Sequence, residues 1–177
     1  MSENQPADPH SERVKDATAA ETEAWKQELE EMEQIAQERR DDGWEVLTMS
    51  AGHTNTVSRD GDADEQFGIC HIVPDSDADA FAEFYDEESF TEYLVYGRPI
   101  EAYLYLVTEL IDPVNERAVL IAGRYNRMYA DGMISDANEE GVLYTHVQKI
   151  NGTVVGSFEH ETYGPLIGEP EEPGVAE

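Results

Sequence analysis

The segment "DPVNER" separates two runs, Ile100–Ile111 and Arg117–Tyr125, that are apolar on both faces when written as a hairpin. Pro113 opens the turn, since its fixed φ suits the first corner. With Asp112 opposite Arg117, Leu110 faces Val119, Thr108 faces Ile121 and Leu106 faces Gly123. The other face carries Tyr103, Tyr105, Val107 and Ile111 with Leu120 and Ala122. A sheet apolar on both faces must be covered on both, by helices or by a second subunit.

The sequence supplies covers. Residues 11–41 contain no Gly or Pro, and Gly43 stands where a helix would stop. Trp25, Leu29, Met32 and Ala36 fall on one face of that long helix. Its extended heptad positions hold Thr18, Thr22 and Arg39, which suit docking on the domain better than a coiled-coil seam. Asp75–Asp86 is expected as a second helix, carrying Phe81, Phe84 and Tyr85. Asn126–Glu140 is expected as a third, lined by Met128, Tyr129, Met133, Ile134 and Ala137.

Trp44–Met49 and Phe67–Val73 read as strands, with "SAGHTNTVSRDGDADEQ" as a polar loop between them, and Phe90–Gly97 reads as extended. Val142–Ile150 and Thr153–Glu159 form a second hairpin on Asn151-Gly152, a type I′ signal. Pairing Ile150 with Thr153 places Leu143, Val147, Val154 and Phe158 on one face and His146 on the other, opposite Ser157 and diagonal to Glu159. The expected fold is α+β: a mainly antiparallel sheet built from hairpins, covered by the long N-terminal helix and two shorter helices. Residues 1–10 are expected as a disordered lead, 11–163 as one domain, and 164–177 as a flexible acidic tail.

Forty acidic residues against eleven basic ones give the 177-residue chain a net charge of −29. Such self-repulsion destabilises a compact state at low ionic strength. Near 1 M salt the Debye length shrinks to about 3 Å and the repulsion nearly vanishes. The surface therefore reads as salt-adapted. Nucleic-acid binding is not expected, because phosphate contacts need clustered Lys and Arg. No apolar run is long enough for a membrane helix, and the N-terminus lacks the profile of a signal peptide. Cys70 is the only cysteine, which fits a reducing, cytoplasmic setting. The segments "YLVTELIDP", "VLIAGRYN" and "YTHVQKINGTVVGSFEH" resemble those of a haloarchaeal family of uncharacterised proteins, over about residues 40–160. That resemblance implies a saline habitat and no particular chemistry.

Three candidate sites arise. In "GICHIVPDSDADAF", Cys70 and His71 point to opposite faces of a strand and do not share a metal. Asp75, Asp77 and Asp79 have EF-hand spacing, but Ala80 stands where that loop needs Gly; Asp60, Asp62 and Asp64 repeat the spacing and fail at Glu65 and His71. Acids after Pro74 suit a helix start instead, and neither a metal nor a cofactor is expected. The second candidate is the face of His146, Ser157 and Glu159, but a regular ladder gives neither a strained nucleophile nor an oxyanion hole. His160 lies on the opposite face, so it cannot join His146. The third is the neutral window Val95 to Arg127, which balances Arg98, Arg117, Arg124 and Arg127 against four acids. There Arg124 and Arg127 flank Tyr125 just before an expected helix start, a place suited to an anion. The plainer account is a buried sheet whose arginines pair with surface acids.

Phosphate-loop, dinucleotide-binding, nucleophile-elbow and zinc-protease motifs are absent from the sequence. The leading expectation is a non-enzymatic module that binds a protein partner or forms a homodimer. The alternative is a small-anion or metabolite binder, or an enzyme, using Arg98, Arg124, Tyr125 and Arg127, or using His146, Ser157 and Glu159.

Overall fold

The computed structural model describes residues 9–59 and 67–169, with side chains from residue 19 onward. Most of the expected lead, the Asp60–Asp62–Asp64 series and the end of the expected tail lie outside the described residues. The elements run α1 (Pro9–Asp41), β1 (Glu45–Ser50), β2 (His53–Val57), β3 (Gly68–Ile72), α2 (Asp75–Phe84), β4 (Glu92–Ile100), β5 (Tyr103–Asp112) and β6 (Arg117–Asn126). A 3₁₀ turn (Arg127–Tyr129), α3 (Asp131–Glu140), β7 (Leu143–Gln148), β8 (Val154–His160) and a second 3₁₀ turn (Gly164–Ile167) follow.

The fold is α+β with mostly antiparallel pairing, as the sequence implies, but it holds two four-stranded sheets rather than one. The first is ordered β1-β6-β5-β4 and the second β2-β3-β7-β8. β1 runs parallel to β6, and β3 parallel to β7. Pairing of β5 with β6 follows the expected register through Leu110↔Val119, Thr108↔Ile121 and Leu106↔Gly123. Asp112 fixes the turn: it accepts hydrogen bonds from the Asn115 backbone and side chain and from Arg117.

Both apolar faces of this hairpin are covered within the chain. On one, α1 lays Met32, Leu29 and Trp25 over Val107, Ala118, Leu120 and Ala122. On the other lies the second sheet, where the sequence reading expected a helix. Val119, Ile121, Leu110 and Met49 meet Val147 and Phe158, with Phe81 of α2. Leu104, Leu106 and Tyr125 meet Ile69 and Leu143, with Met133 and Ala137 of α3. Close approach of the sheets depends on Gly123, where a Cβ would sit 2.6 Å from the His71 ring.

α1 ends in a Schellman motif: Trp44 N–H donates to Arg39 C=O, Gly43 N–H to Arg40 C=O, and Gly43 has φ +93°. Arg39 then reaches the fully buried Glu109 at 2.8 Å and stacks over Trp44.

Four local expectations are corrected. The polar stretch "HTNTV" is not loop but β2, paired with β3. The third helix starts at Asp131, after a 3₁₀ turn that leaves Met128 and Tyr129 exposed instead of buried. The Asn151-Gly152 turn is not type I′, because only Gly152 takes positive φ. Lys149 N–H instead donates to Thr153 C=O, closing a three-residue loop whose last residue is in the left-handed region. That extra residue shifts the register beyond Val147 and turns Val154 outward. Residues Gly164–Ile167, assigned from sequence to the tail, bury Leu166, whose carbonyl accepts a 2.6 Å hydrogen bond from the Tyr125 hydroxyl.

A pocket at Arg124 and its surroundings

Alternation along β6 puts Arg124 on the same face as Ala122 and Leu120, under α1. Its cross-strand partner is Tyr105, and Tyr103 lies two residues along on the same face. The face runs out from beneath the apolar part of the helix at this point. The guanidinium carbon sits 5.6 Å from the Trp25 ring, 5.5 Å from Tyr103 and 5.8 Å from Tyr105. Arg124 Nη1 donates to the Tyr105 hydroxyl at 3.3 Å, and that hydroxyl donates to the Glu21 carbonyl at 3.2 Å. Among the described residues Arg124 forms no ion pair.

β2 builds the opposite wall. Thr54 lies beside His71 Nδ1 at 3.0 Å, and the Thr56 hydroxyl donates to the Tyr129 carbonyl, pinning the 3₁₀ turn at the rim. Between these walls is an open cavity of about 760 Å³. Its described lining offers hydroxyls, the amides of Asn55 and Asn126, the His53 imidazole, the rings of Trp25 and three tyrosines, and one guanidinium, but no Asp or Glu. In a chain where acids outnumber bases forty to eleven, a hollow around an arginine with no acid among its described lining residues stands apart.

The other arginines of the expected cluster do not converge here. Arg98 lines a separate cavity and reaches Glu31 at 3.4 Å and Gln27 at 3.2 Å. Arg127 turns back to donate to the Glu101 carbonyl at 2.8 Å. Tyr125 is buried, with its ring at the pocket wall and its hydroxyl spent on Leu166. No helix start faces the guanidiniums, because the 3₁₀ turn intervenes.

His146 lies opposite Ser157, as expected, but it is buried rather than facing solvent. Nε2 donates to the Phe67 carbonyl at 3.0 Å, and Nδ1 accepts from the Ser157 hydroxyl at 2.7 Å. Burial pushes its pKa down. With both ring nitrogens engaged, this histidine serves structure. Glu159 is exposed and accepts from Tyr144 instead. His160 bonds Thr145 on the other face, so the two histidines do not meet.

Asp75 and Asp77 sit in the first turn of α2, where acids complement the helix dipole. Among the described residues no group of three or more His, Cys, Asp or Glu is arranged to hold a metal ion. No described helix is long and apolar enough to cross a membrane.

Trp25, Tyr103, Tyr129 and β2 were absent from the sequence-level candidates. Tyr103 and Tyr105 were visible beside Arg124 in the hairpin register, but the approach of Trp25 and β2 depends on tertiary packing. No curated protein and no solved structure matches the chain. A family model does, over residues 11–167, and the chain therefore belongs to the family described as "Family of unknown function (DUF7529)".

Proposed function

We propose that this protein is a non-enzymatic binder of a small organic anion carrying a planar ring, held in the Arg124 pocket. The observation that carries this reading is that, among the described residues, no Asp or Glu lines the pocket around Arg124 and none lies within ion-pair distance of its guanidinium. Arg124 supplies the charge, through a planar fork suited to a carboxylate or phosphate. Trp25, Tyr103 and Tyr129 supply flat apolar surface for the ring, and the Thr and Asn groups set its orientation. Aromatic contacts pre-position the guanidinium, so little side-chain freedom is lost on binding.

The remainder of the surface serves solubility in concentrated salt, a reading supported by the net charge of −29. A cytoplasmic location is supported by the lone cysteine.

The test uses Trp25 fluorescence in a Trp44→Phe background, with benzoate, adenosine monophosphate and inorganic phosphate as probes. Saturable quenching by the two ring-bearing anions, weaker response to phosphate, and loss of all response in Arg124→Ala are expected. No saturation by any probe overturns the reading.

A second reading, a protein-binding or homodimeric module, is favoured by Met128 and Tyr129, exposed side by side at the pocket rim. It no longer draws on an uncovered sheet face, since α1 and the second sheet cover both. A concentration-dependent mass in light scattering, reduced by Met128→Glu, supports it.

A further inference from the structure

The most buried line of α1 is Ala24, Glu28, Met32 and Ala36, spaced by four residues. Three members suit an apolar interface, and Glu28 does not. It is only 6% exposed, and its Oε2 has neither solvent contact nor a hydrogen-bond partner. A buried oxygen of this kind costs free energy unless something donates to it. Packing has not closed over it: a cavity of about 350 Å³ lies beside Glu28, with the small Ala24 in its wall. Tyr96 and Tyr105 wall the cavity, and Arg98 and Glu31 stand at its half-exposed mouth. Glu28 thus forms part of the cavity's buried wall, and Arg98 stands at its half-exposed mouth.

We propose that this second cavity is a site for a small zwitterion of the amino-acid type, its ammonium group meeting Glu28 and its carboxylate meeting Arg98. Two anchors of opposite sign in one small cavity select a ligand that carries both charges. A simple cation would face Arg98, and a simple anion would face Glu28 and Glu31. Arg98 is available for the exchange: its 3.4 Å contact with Glu31 is half-exposed, and exposed pairs of that kind are weak.

The charged and titratable neighbours set the proton balance. Burial, then Glu31 on the same helix, raise the Glu28 pKa to about 8, while Arg98 of β4 and Arg124 of β6 oppose the rise. Tyr96 of β4 and Tyr105 of β5 are pushed up by burial and stay neutral. The empty site thus holds a proton on Glu28 at neutral pH. An entering ammonium keeps its own three protons and displaces that one, leaving a carboxylate–ammonium pair and one proton in solution.

Calorimetric titration of the full chain with glycine and with β-alanine, in two buffers of different ionisation enthalpy, reads both affinity and proton release. Saturable binding with release of nearly one proton at neutral pH is expected, with methylammonium and acetate binding much more weakly. Arg98→Gln, at an exposed position, and Glu28→Gln, which keeps the side-chain shape, each weaken binding by about tenfold or more. Absence of saturation, binding without proton release, equal affinity for methylammonium, or affinity unchanged in Arg98→Gln each overturns the proposal. Neither probe carries a ring, so failure here leaves the Arg124 pocket standing, and failure there leaves this cavity standing.

Discussion

Docking of α1 on β6 brings the Arg124 guanidinium to 5.6 Å from the Trp25 ring, joining residues 99 positions apart into one pocket wall. Neither residue makes the pocket alone. Arg124 is placed by the alternation of a hairpin strand, and Trp25 by the apolar stripe of a helix. The same helix carries Glu28 one turn further on, which ties its docking to pH.

Glu28 holds its proton more tightly when folded, so its contribution to stability is full below the ordinary value of 4.5 and declines until the pH passes about 8. At neutral pH, Glu28→Gln should therefore raise stability by on the order of 2–3 kcal/mol, and should flatten the curve between those limits. Denaturant melts of the variant and the parent across that range check it. A variant less stable at neutral pH would contradict the protonated, unpartnered state.

The histidines act in the opposite sense. Burial holds His71 at about 4 and His160 at about 3, so both are neutral when folded. The unfolded chain binds protons from the ordinary value of 6.5 downward, so stability is present above 6.5 and is lost as the pH falls toward 4. His160→Gln should lose less stability than the parent over that interval. Identical pH slopes for the two proteins would count against buried neutral imidazoles.

Arg39 and Glu109 form the most enclosed ion pair on the α1 face, with Glu109 fully buried. Arg39→Ala leaves that carboxylate without its partner and should cost about 3–5 kcal/mol. The double variant Arg39→Leu with Glu109→Leu should recover much of the loss. Thermal melts of the single and double variants separate the two effects, and no recovery would show that the pair itself contributes the stability.

How far the sequence could be read differs between elements for physical reasons. The β5–β6 register was legible because one tight turn and alternating apolar residues specify it locally. The β7–β8 register held as far as Val147 and failed where the turn took an extra residue, which propensity alone did not reveal. β2 was missed because "HTNTV" has no apolar alternation; its threonines hydrogen-bond into the neighbouring structure instead of packing. The parallel pairings of β1 with β6 and β3 with β7 join segments distant in the chain, and no local pattern encodes them. The Arg124 region was visible as a charge anomaly. Its separation from Arg98 and Arg127, and the burial of His146, became visible only once the sheets were placed.

The net charge of −29 predicts a requirement for salt. Lowering ionic strength from about 1 M to about 0.1 M lengthens the Debye length from about 3 Å to about 10 Å and lets surface carboxylates repel one another. Circular dichroism should show the fold lost in dilute buffer and regained in concentrated KCl. An unchanged cooperative melt in dilute buffer would remove salt adaptation from the account.

The most direct test of the central claim is the fluorescence of Trp25 in the Trp44→Phe protein, titrated with benzoate before and after Arg124→Ala. A saturable change that disappears with the guanidinium is the predicted result. A change that survives Arg124→Ala, or no saturable change in the parent, would contradict an anion site at this pocket.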